Sequence, residues 1–246
     1  MEIYILLPIG IMAGVTSGYF GVGGGTILVP ILLLFGFDMK SAVSISILQM
    51  FMSSIYGTYL NNKKENINFK YMGFVALGGF FGAQGSIYLI SILSDFYLQI
   101  ILLIFLLLSI LKLNKKIKPQ EIKIDVSPLK LFLLGLPIGL LAMSVGVGGA
   151  LILIPILVTI FGYSTQQASI TGLLFVLLAS FSGVIGLGIS GGLLLEEGLI
   201  TGIGALIGVN IGVRAIHKSS ASIHKKLLMG LYLLVTSIVL YELIYV

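Results

Sequence analysis

The chain contains no cysteine. That absence excludes a disulfide framework, a Cys-ligated zinc site and an iron–sulfur cluster. Charge is also scarce. Asp, Glu, Lys and Arg make up 9% of the 246 residues, where a soluble domain carries about 25%. Histidine occurs only as His217 and His224, near loop ends among Lys and Ser, a setting that speaks for solvated surface roles rather than metal ligation. No Asp, Glu or Lys sits in the middle of an apolar segment, so the sequence offers neither a carboxylate proton relay nor the acid, base or nucleophile pair of a membrane-embedded hydrolase. The opening MEIYILLPIGIMAG has no basic stretch ahead of its apolar run and no clear small-residue cleavage site, and it reads as a retained first membrane helix.

What the chain has in abundance is apolar length. It is 58% hydrophobic with a mean hydropathy of +1.15. Its apolar runs are mostly about 17 to 25 residues long, enough to cross roughly 30 Å of hydrocarbon as helices. Short alternating segments of the kind that build an outer-membrane barrel are missing. The expectation is an all-α polytopic membrane protein. The net charge of +5 comes from Lys and Arg gathered in a few short loops, which points to membrane topology and away from nucleic acid as a partner.

The chain is also written twice. YFGVGGGTILVP (19–30) matches SVGVGGALILIP (144–155), with Gly21, Gly23, Gly24 and Pro30 lying 125 positions before Gly146, Gly148, Gly149 and Pro155. Gly10 and Gly14 match Gly135 and Gly139 at the same separation. After a one-residue insertion the separation becomes 126. FGFDMKSA (35–42) then meets FGYSTQQA (161–168), and GGFFGAQGS (78–86) meets GALIGVNIG (204–212). The expected organisation is a first transmembrane repeat at 1–113, a solvated cytoplasmic linker at 114–128 and a second repeat at 129–246. The polar stretch 112–130 around the linker carries six Lys and two of the six Pro.

Each half resolves into five apolar segments, at 3–20, 24–36, 41–60, 70–93 and 96–113, then 129–145, 149–162, 166–189, 194–216 and 223–245. The second of each five covers only about 20 Å as a helix. With the segment before it, it forms a helical hairpin turning at the glycines or one discontinuous element. Lys63, Lys64 and Lys70, the linker, and Arg214, Lys218, Lys225 and Lys226 form the basic clusters. Placing all of them in the cytoplasm sends Glu196 and Glu197 outside, leaves both termini outside and inverts the two halves relative to each other.

A turn inside hydrocarbon leaves backbone groups unpaired and persists only when buried in protein or lining a cavity. Glycine suits it, because it reaches positive φ freely and lets backbone or ligand approach closely. The helix that follows begins near Thr26 or Leu151, and its free N–H groups and positive dipole end favour an anion. Gly21, Gly23, Gly24, Gly25 and Thr26, with Gly146, Gly148 and Gly149, are therefore candidate substrate-binding residues; the alternative is that these glycines only let helices pack. Packing is the reading for Gly10, Gly14, Gly18, Gly78, Gly82, Gly204 and Gly208. Gln84 and Asn210 occupy equivalent positions in the fourth segments and either bond between helices or touch substrate. Gln49, Ser46, Ser53, Ser54 and Thr171 are similar candidates, with packing or bonding back to the helix as the alternative. Arg214 adds charge to the pathway or snorkels to the cytoplasmic surface.

GYFGVGGGTILVPILL and MSVGVGGALILIPILV, the segment after FGF or FGY, and the pair GGFFGAQGS and GALIGVNIG together resemble the TauE/SafE sulfite exporter family over nearly the whole chain. The resemblance implies a multi-pass transporter of the cytoplasmic membrane with two homologous halves. The implied cargo is a small sulfur-containing anion or organosulfonate such as sulfite, sulfoacetate or thiosulfate. Gly25 and Thr26 are replaced by Ala150 and Leu151 in the second half, a departure from symmetry. No cofactor or metal is implied; the expected partners are the anion and membrane lipid, with a homo-oligomer open. Other classes compatible with these residues are an anion channel, a permease for a non-sulfur metabolite and a non-transporting scaffold.

Overall fold

The computed structural model describes residues 3–63, 69–114 and 127–245. Lys64 and most of the expected linker lie outside the described residues. After a short 3-10 turn at Ile3–Ile5, ten α-helices follow: α1 Leu6–Phe20, α2 Gly25–Leu34, α3 Met39–Asn62, α4 Phe69–Ile92 and α5 Asp95–Asn114, then α6 Pro128–Ser144, α7 Ala150–Ile160, α8 Thr165–Ser190, α9 Leu195–Ile216 and α10 Ala221–Tyr245. Among the described residues there is no strand. α4, α5, α8, α9 and α10 are each long and apolar enough to cross a membrane. The helices follow the ten apolar segments, because in lipid a helix is the one local structure that pairs its own backbone.

Helix starts are set by local chemistry. Asp38 caps α3 by accepting the Ser41 N–H at 3.0 Å. Burial pushes the Asp38 carboxyl up, but hydrogen bonds from the Ser41 side chain and nearby backbone outweigh it and hold the group below its ordinary value. Ser164 opens α8 with a reciprocal capping box to Gln167. Proline stands deeper in α2 and α7 than the first turn. In α7, Pro155 cannot donate to the Leu151 carbonyl, and that oxygen is taken instead by Ser109 Oγ at 2.9 Å and Tyr232 Oη at 3.1 Å.

The two halves interdigitate. α1 lies on α9 as its counterpart α6 lies on α4, α3 packs on α9 as α8 packs on α4, and α3 meets α8 and α5 meets α10 across the middle. The glycines set the closest of these approaches. A Cβ on Gly10, Gly14 or Gly18 would strike the backbone of Thr201, Ala205 or Val209, and one on Gly78 or Gly82 the carbonyl of Phe132 or Leu136. The expected packing role of these positions is what the structure shows. The rising pairs also show that α1 runs parallel to α9, and α4 to α6. The equivalent helices α3 and α8 instead run antiparallel: Ile47 meets Gly183, Phe51 stacks near Phe181 with ring centroids 5.4 Å apart, and Gly57 meets Leu173.

Charge divides between the two ends of the bundle. Asp38 and Asp95 share a 430 Å³ cavity with Glu242, Glu196 and Glu197 open α9, and the α8–α9 loop is tied to the same end by Ser44, which donates to the Gly192 carbonyl at 2.8 Å. Every carboxylate of the described residues lies at this acidic end. The opposite end carries Lys63, Lys112, Lys130, Arg214, Lys218, Lys225 and Lys226, drawn together where Gln166 bonds the Ser219 carbonyl and Thr165 Oγ1 donates to Ala221 O at 3.2 Å. Among the described basic residues only Lys40 sits with the acids.

This packing makes the glycines of α4 unequal in their tolerance of a side chain. Gly82→Val is expected to destabilise the protein by at least about 1–3 kcal/mol, because the added atoms meet backbone that cannot rotate away. A Cβ added at Gly73 would meet nothing within 4 Å, so Gly73→Ala is expected to leave the melting temperature in detergent unchanged or higher. The charge division has its own test. Single cysteines at Asn114 and Ser219 are expected to react with an impermeant thiol reagent from one face of the membrane, and one at Glu196 from the other; labelling of all three from one face would refute the charge-based sidedness.

Candidate functional site

Each half breaks its backbone between a longer helix and a short one. In the first half Gly21 ends α1 in the left-handed region (φ 67°), its N–H donating to the Ser17 carbonyl at 2.9 Å. The chain then doubles back, so that Gly24 at the start of α2 lies beside the Ala13 carbonyl, eleven residues earlier on α1. In the second half Gly146, Gly148 and Gly149 all take positive φ, and Gly149 starts α7. The expected alternatives for the short segments are thereby decided: α1–α2 and α6–α7 are hairpins, with α2 and α7 of 10 and 11 residues starting inside the bundle.

The turns converge on the midpoints of α3 and α8. A Cβ on Gly23 would lie 2.9 Å from Met50 Sδ and 3.3 Å from Val176, and one on Gly148 2.8 Å and 3.1 Å from the same two side chains. Met50 and Val176 are themselves repeat equivalents, and both are fully buried. Gly25 abuts the Gly146 carbonyl, which accepts a hydrogen bond from Ser46 Oγ at 2.7 Å. Thus the first turn, the second turn and α3 touch at one place.

Gln49 lies over Gly24, where its repeat equivalent Phe175 lies over Gly149. Its side chain is fully buried, and neither Nε2 nor Oε1 has a hydrogen-bond partner. An amide left so costs about 1–3 kcal/mol. The backbone adds further donors. Thr26, Ile27 and Leu28 N–H bond back to Gly23 and Gly24, and Ile152 and Leu153 N–H to Gly149, but among the described residues no carbonyl accepts from the N–H of Gly23, Gly24 or Gly25, nor from Gly148 or Gly149. Two helix starts and a free amide therefore face one another deep in the bundle. Such an arrangement suits an acceptor-rich, negatively charged group.

The structure brings together Gly21, Gly23, Gly24, Gly25, Thr26, Ser46, Gln49, Gly146, Gly148 and Gly149. Thr26 is 1% exposed with its hydroxyl turned back toward Val22 O at 3.4 Å. Four expected residues lie elsewhere. Gln84 ties α4 to α8, donating to Ser182 Oγ at 2.8 Å. Asn210 donates to Tyr56 Oη at 2.9 Å and lines a surface groove with Arg214, whose side chain is exposed. Thr171 bonds back to Gln167 O at 2.8 Å, the helix-back-bonding alternative. The reason for the first two is angular. Gln84 and Asn210 stand two residues beyond Gly82 and Gly208, about 200° around the helix, so when those glycines face the neighbouring helix the amides face away from it. Met50, Val176 and Phe175 were not singled out from the sequence, although the 126-residue separation pairs Met50 with Val176 and Gln49 with Phe175.

With this geometry in view, known proteins place the chain. The family model described as Sulfite exporter TauE/SafE matches residues 6–239. The chain is 29% identical over 199 residues to a probable membrane transporter protein of Methanocaldococcus jannaschii, covering 75% of this chain and 73% of that one. It is 25% identical over 191 residues to the probable membrane transporter protein YdhB of Bacillus subtilis, with 74% and 77% covered, and 31% identical over 182 residues to a probable membrane transporter protein of Haemophilus influenzae, with 68% and 65% covered. No solved structure matches. The chain belongs to the TauE/SafE family of multi-pass membrane transporters.

Proposed function

We propose that this transporter is a secondary carrier that moves a small sulfur-containing anion or organosulfonate, such as sulfite, sulfoacetate or thiosulfate, across the cytoplasmic membrane. The cargo is held where the two glycine turns meet. The observation that carries this reading is Gln49, a buried amide with no partner, set against the start of α2. The basic end of the bundle faces the cytoplasm, and the antiparallel run of α3 and α8 supports two repeats inverted across the membrane, the arrangement in which broken helices hold cargo near the midplane.

Magnitudes define what the site must supply. Moving an ion from water to an apolar medium costs tens of kcal/mol in the idealised limit. A helix start contributes roughly 0.3–2 kcal/mol. Two starts are too weak alone, so direct hydrogen bonds from turn N–H groups and from Gln49, together with retained water, carry the larger share. Bonds to an ionised acceptor are about twice as strong as neutral ones. A sulfur oxyanion or sulfonate offers several oxygens at once, and the neutral donors let it leave again. Met50 and Val176 close the centre in this conformation, so the cargo enters only when the turns separate.

Gln49→Met keeps the shape and removes the idle amide. It is expected to raise the melting temperature, since the desolvation cost of about 1–3 kcal/mol disappears, and to abolish transport. Unchanged transport would show that Gln49 does not touch the cargo. In proteoliposomes, counterflow of labelled thiosulfate is expected to be competed by sulfite and sulfoacetate but not by neutral dimethyl sulfone, and to be lost in Gly24→Val, whose side chain would occupy the space of the Gln49 amide. Equal competition by the neutral compound would sink the anion cradle.

A further inference from the structure

The two halves are not chemically equivalent along the path they enclose. From the centre, α3 runs toward the basic end and α8 toward the acidic end, and each presents an inward stripe at helical spacing. On α3 the stripe is Ser46, Gln49, Met50, Ser53, Gly57 and Asn61. The residues 126 positions later on α8 are Gly172, Phe175, Val176, Ala179, Gly183 and Leu187. The first stripe is largely polar and the second wholly apolar.

Hydrogen bonding shows the same division. Buried side-chain polar atoms without a partner are rare in native proteins. Among the described residues they are both amide atoms of Gln49, Thr58 Oγ1, Asn61 Nδ2, Ser169 Oγ and His224 Nδ1. Every one lies at the centre or toward the basic end. Register brings two of them to one level: Gly57 meets Leu173 in the antiparallel α3–α8 pair, so Asn61, one turn further on, lies level with Ser169, whose backbone abuts Gly21 of the first turn, and Thr58 stands three residues before Asn61 on α3. Thr58 and Asn61 are 7% and 0% exposed. Asn61 is oriented by His217, whose Nε2 lies 3.1 Å from its Oδ1, leaving Nδ2 as a free donor. The equivalents of Thr58, Asn61 and Ser169 in the other half are Val184, Leu187 and Val43, which cannot hold water or an anion.

We propose that the route from the glycine turns to the basic face is a hydrated half-path, in which Asn61, Thr58 and Ser169 form a second holding station for the anion beside Gly21, while the route to the acidic face is sealed by apolar side chains of α8 from Phe175 to Val184, beyond which a cavity lined by Leu187, Lys40 and Ser41 opens. The identity of the cargo rests on the transport reading above; the one-sided hydration does not. The station gives a departing anion hydrogen bonds partway to bulk water, where one continuous apolar barrier would give none. It also makes the two directions of passage unequal: the step between centre and acidic face is the one that crosses a dry seal.

The Cys-free chain allows a direct test. Thr58→Cys and Asn61→Cys are exposed from the basic face, and Ala179→Cys and Val184→Cys from the acidic face, each introduced singly, to a small anionic methanethiosulfonate reagent. Thiols at 58 and 61 are expected to react about tenfold or more faster than those at 179 and 184, because a hydrated thiol ionises and an apolar burial suppresses the thiolate. Equally slow reaction at all four, or equal reaction in both halves, overturns the half-path. Asn61→Leu is expected to raise KM for thiosulfate counterflow, with Asn61→Ser restoring it; KM unchanged in both variants overturns the station. Should one variant fail to fold, the other cysteine of its pair decides the hydration. Should the wild type show no counterflow, the cargo reading fails, and the labelling pattern still decides the path.

Discussion

The constraint on which this structure depends is the need to shelter broken backbone inside an apolar slab. A helix that stops at membrane depth exposes N–H and C=O groups that lipid cannot satisfy. Here the breaks at Gly21–Gly24 and Gly146–Gly149 are enclosed by α3 and α8, and each turn is closed by the other half: Ser169 of α8 lies on Gly21, while Ser46 of α3 bonds the Gly146 carbonyl. Neither turn is enclosed by its own half alone. The interdigitation of the repeats follows from that, and so do the glycine-lined contacts of α1 with α9 and α6 with α4, which bring backbones close enough to exclude lipid.

Duplication explains the architecture, and divergence explains the chemistry. The same scaffold places a side chain over each short-helix start. In one half it is Phe175, which fills the space and asks for nothing. In the other it is Gln49, which carries two polar groups that the resting fold does not satisfy. A protein selected only for stability would remove such an amide, since an apolar side chain of the same shape avoids the desolvation cost. Its presence beside free backbone donors is the observation on which the proposed cargo site rests.

Electrostatics acts on a longer scale than the site. Among the described residues, carboxylates gather at one end of the bundle and the cations other than Lys40 at the other, while the polar side chains at the centre are neutral. For the anion cargo proposed above, fixed positive charge near the centre would hold it tightly and slow its release, whereas neutral donors oriented by helix starts and glycine turns would give a weaker grip that suits passage. Arg214, which stands at an exposed groove with Asn210 and Tyr56, leaves that balance undisturbed.

Much of this was legible in the sequence because lipid narrows the choices. Apolar length dictated helices, the scarcity of charge dictated a membrane setting, and the spacing of Gly21, Gly23, Gly24 and Pro30 against Gly146, Gly148, Gly149 and Pro155 revealed the duplication and located both turns. The clustering of glycines ahead of Pro30 and Pro155 also set the turn glycines apart from the packing glycines. The tertiary structure alone decided which polar side chains meet those turns. Gln84 and Gln49 are the same residue type in similar apolar surroundings, yet Gln84 finds Ser182 on α8 and Gln49 finds no partner. The difference lies in helix rotation and in the crossing of α3 with α8. Both are set by contacts between residues far apart in the chain, such as Gln84 with Ser182 and Ile47 with Gly183, which no local pattern encodes.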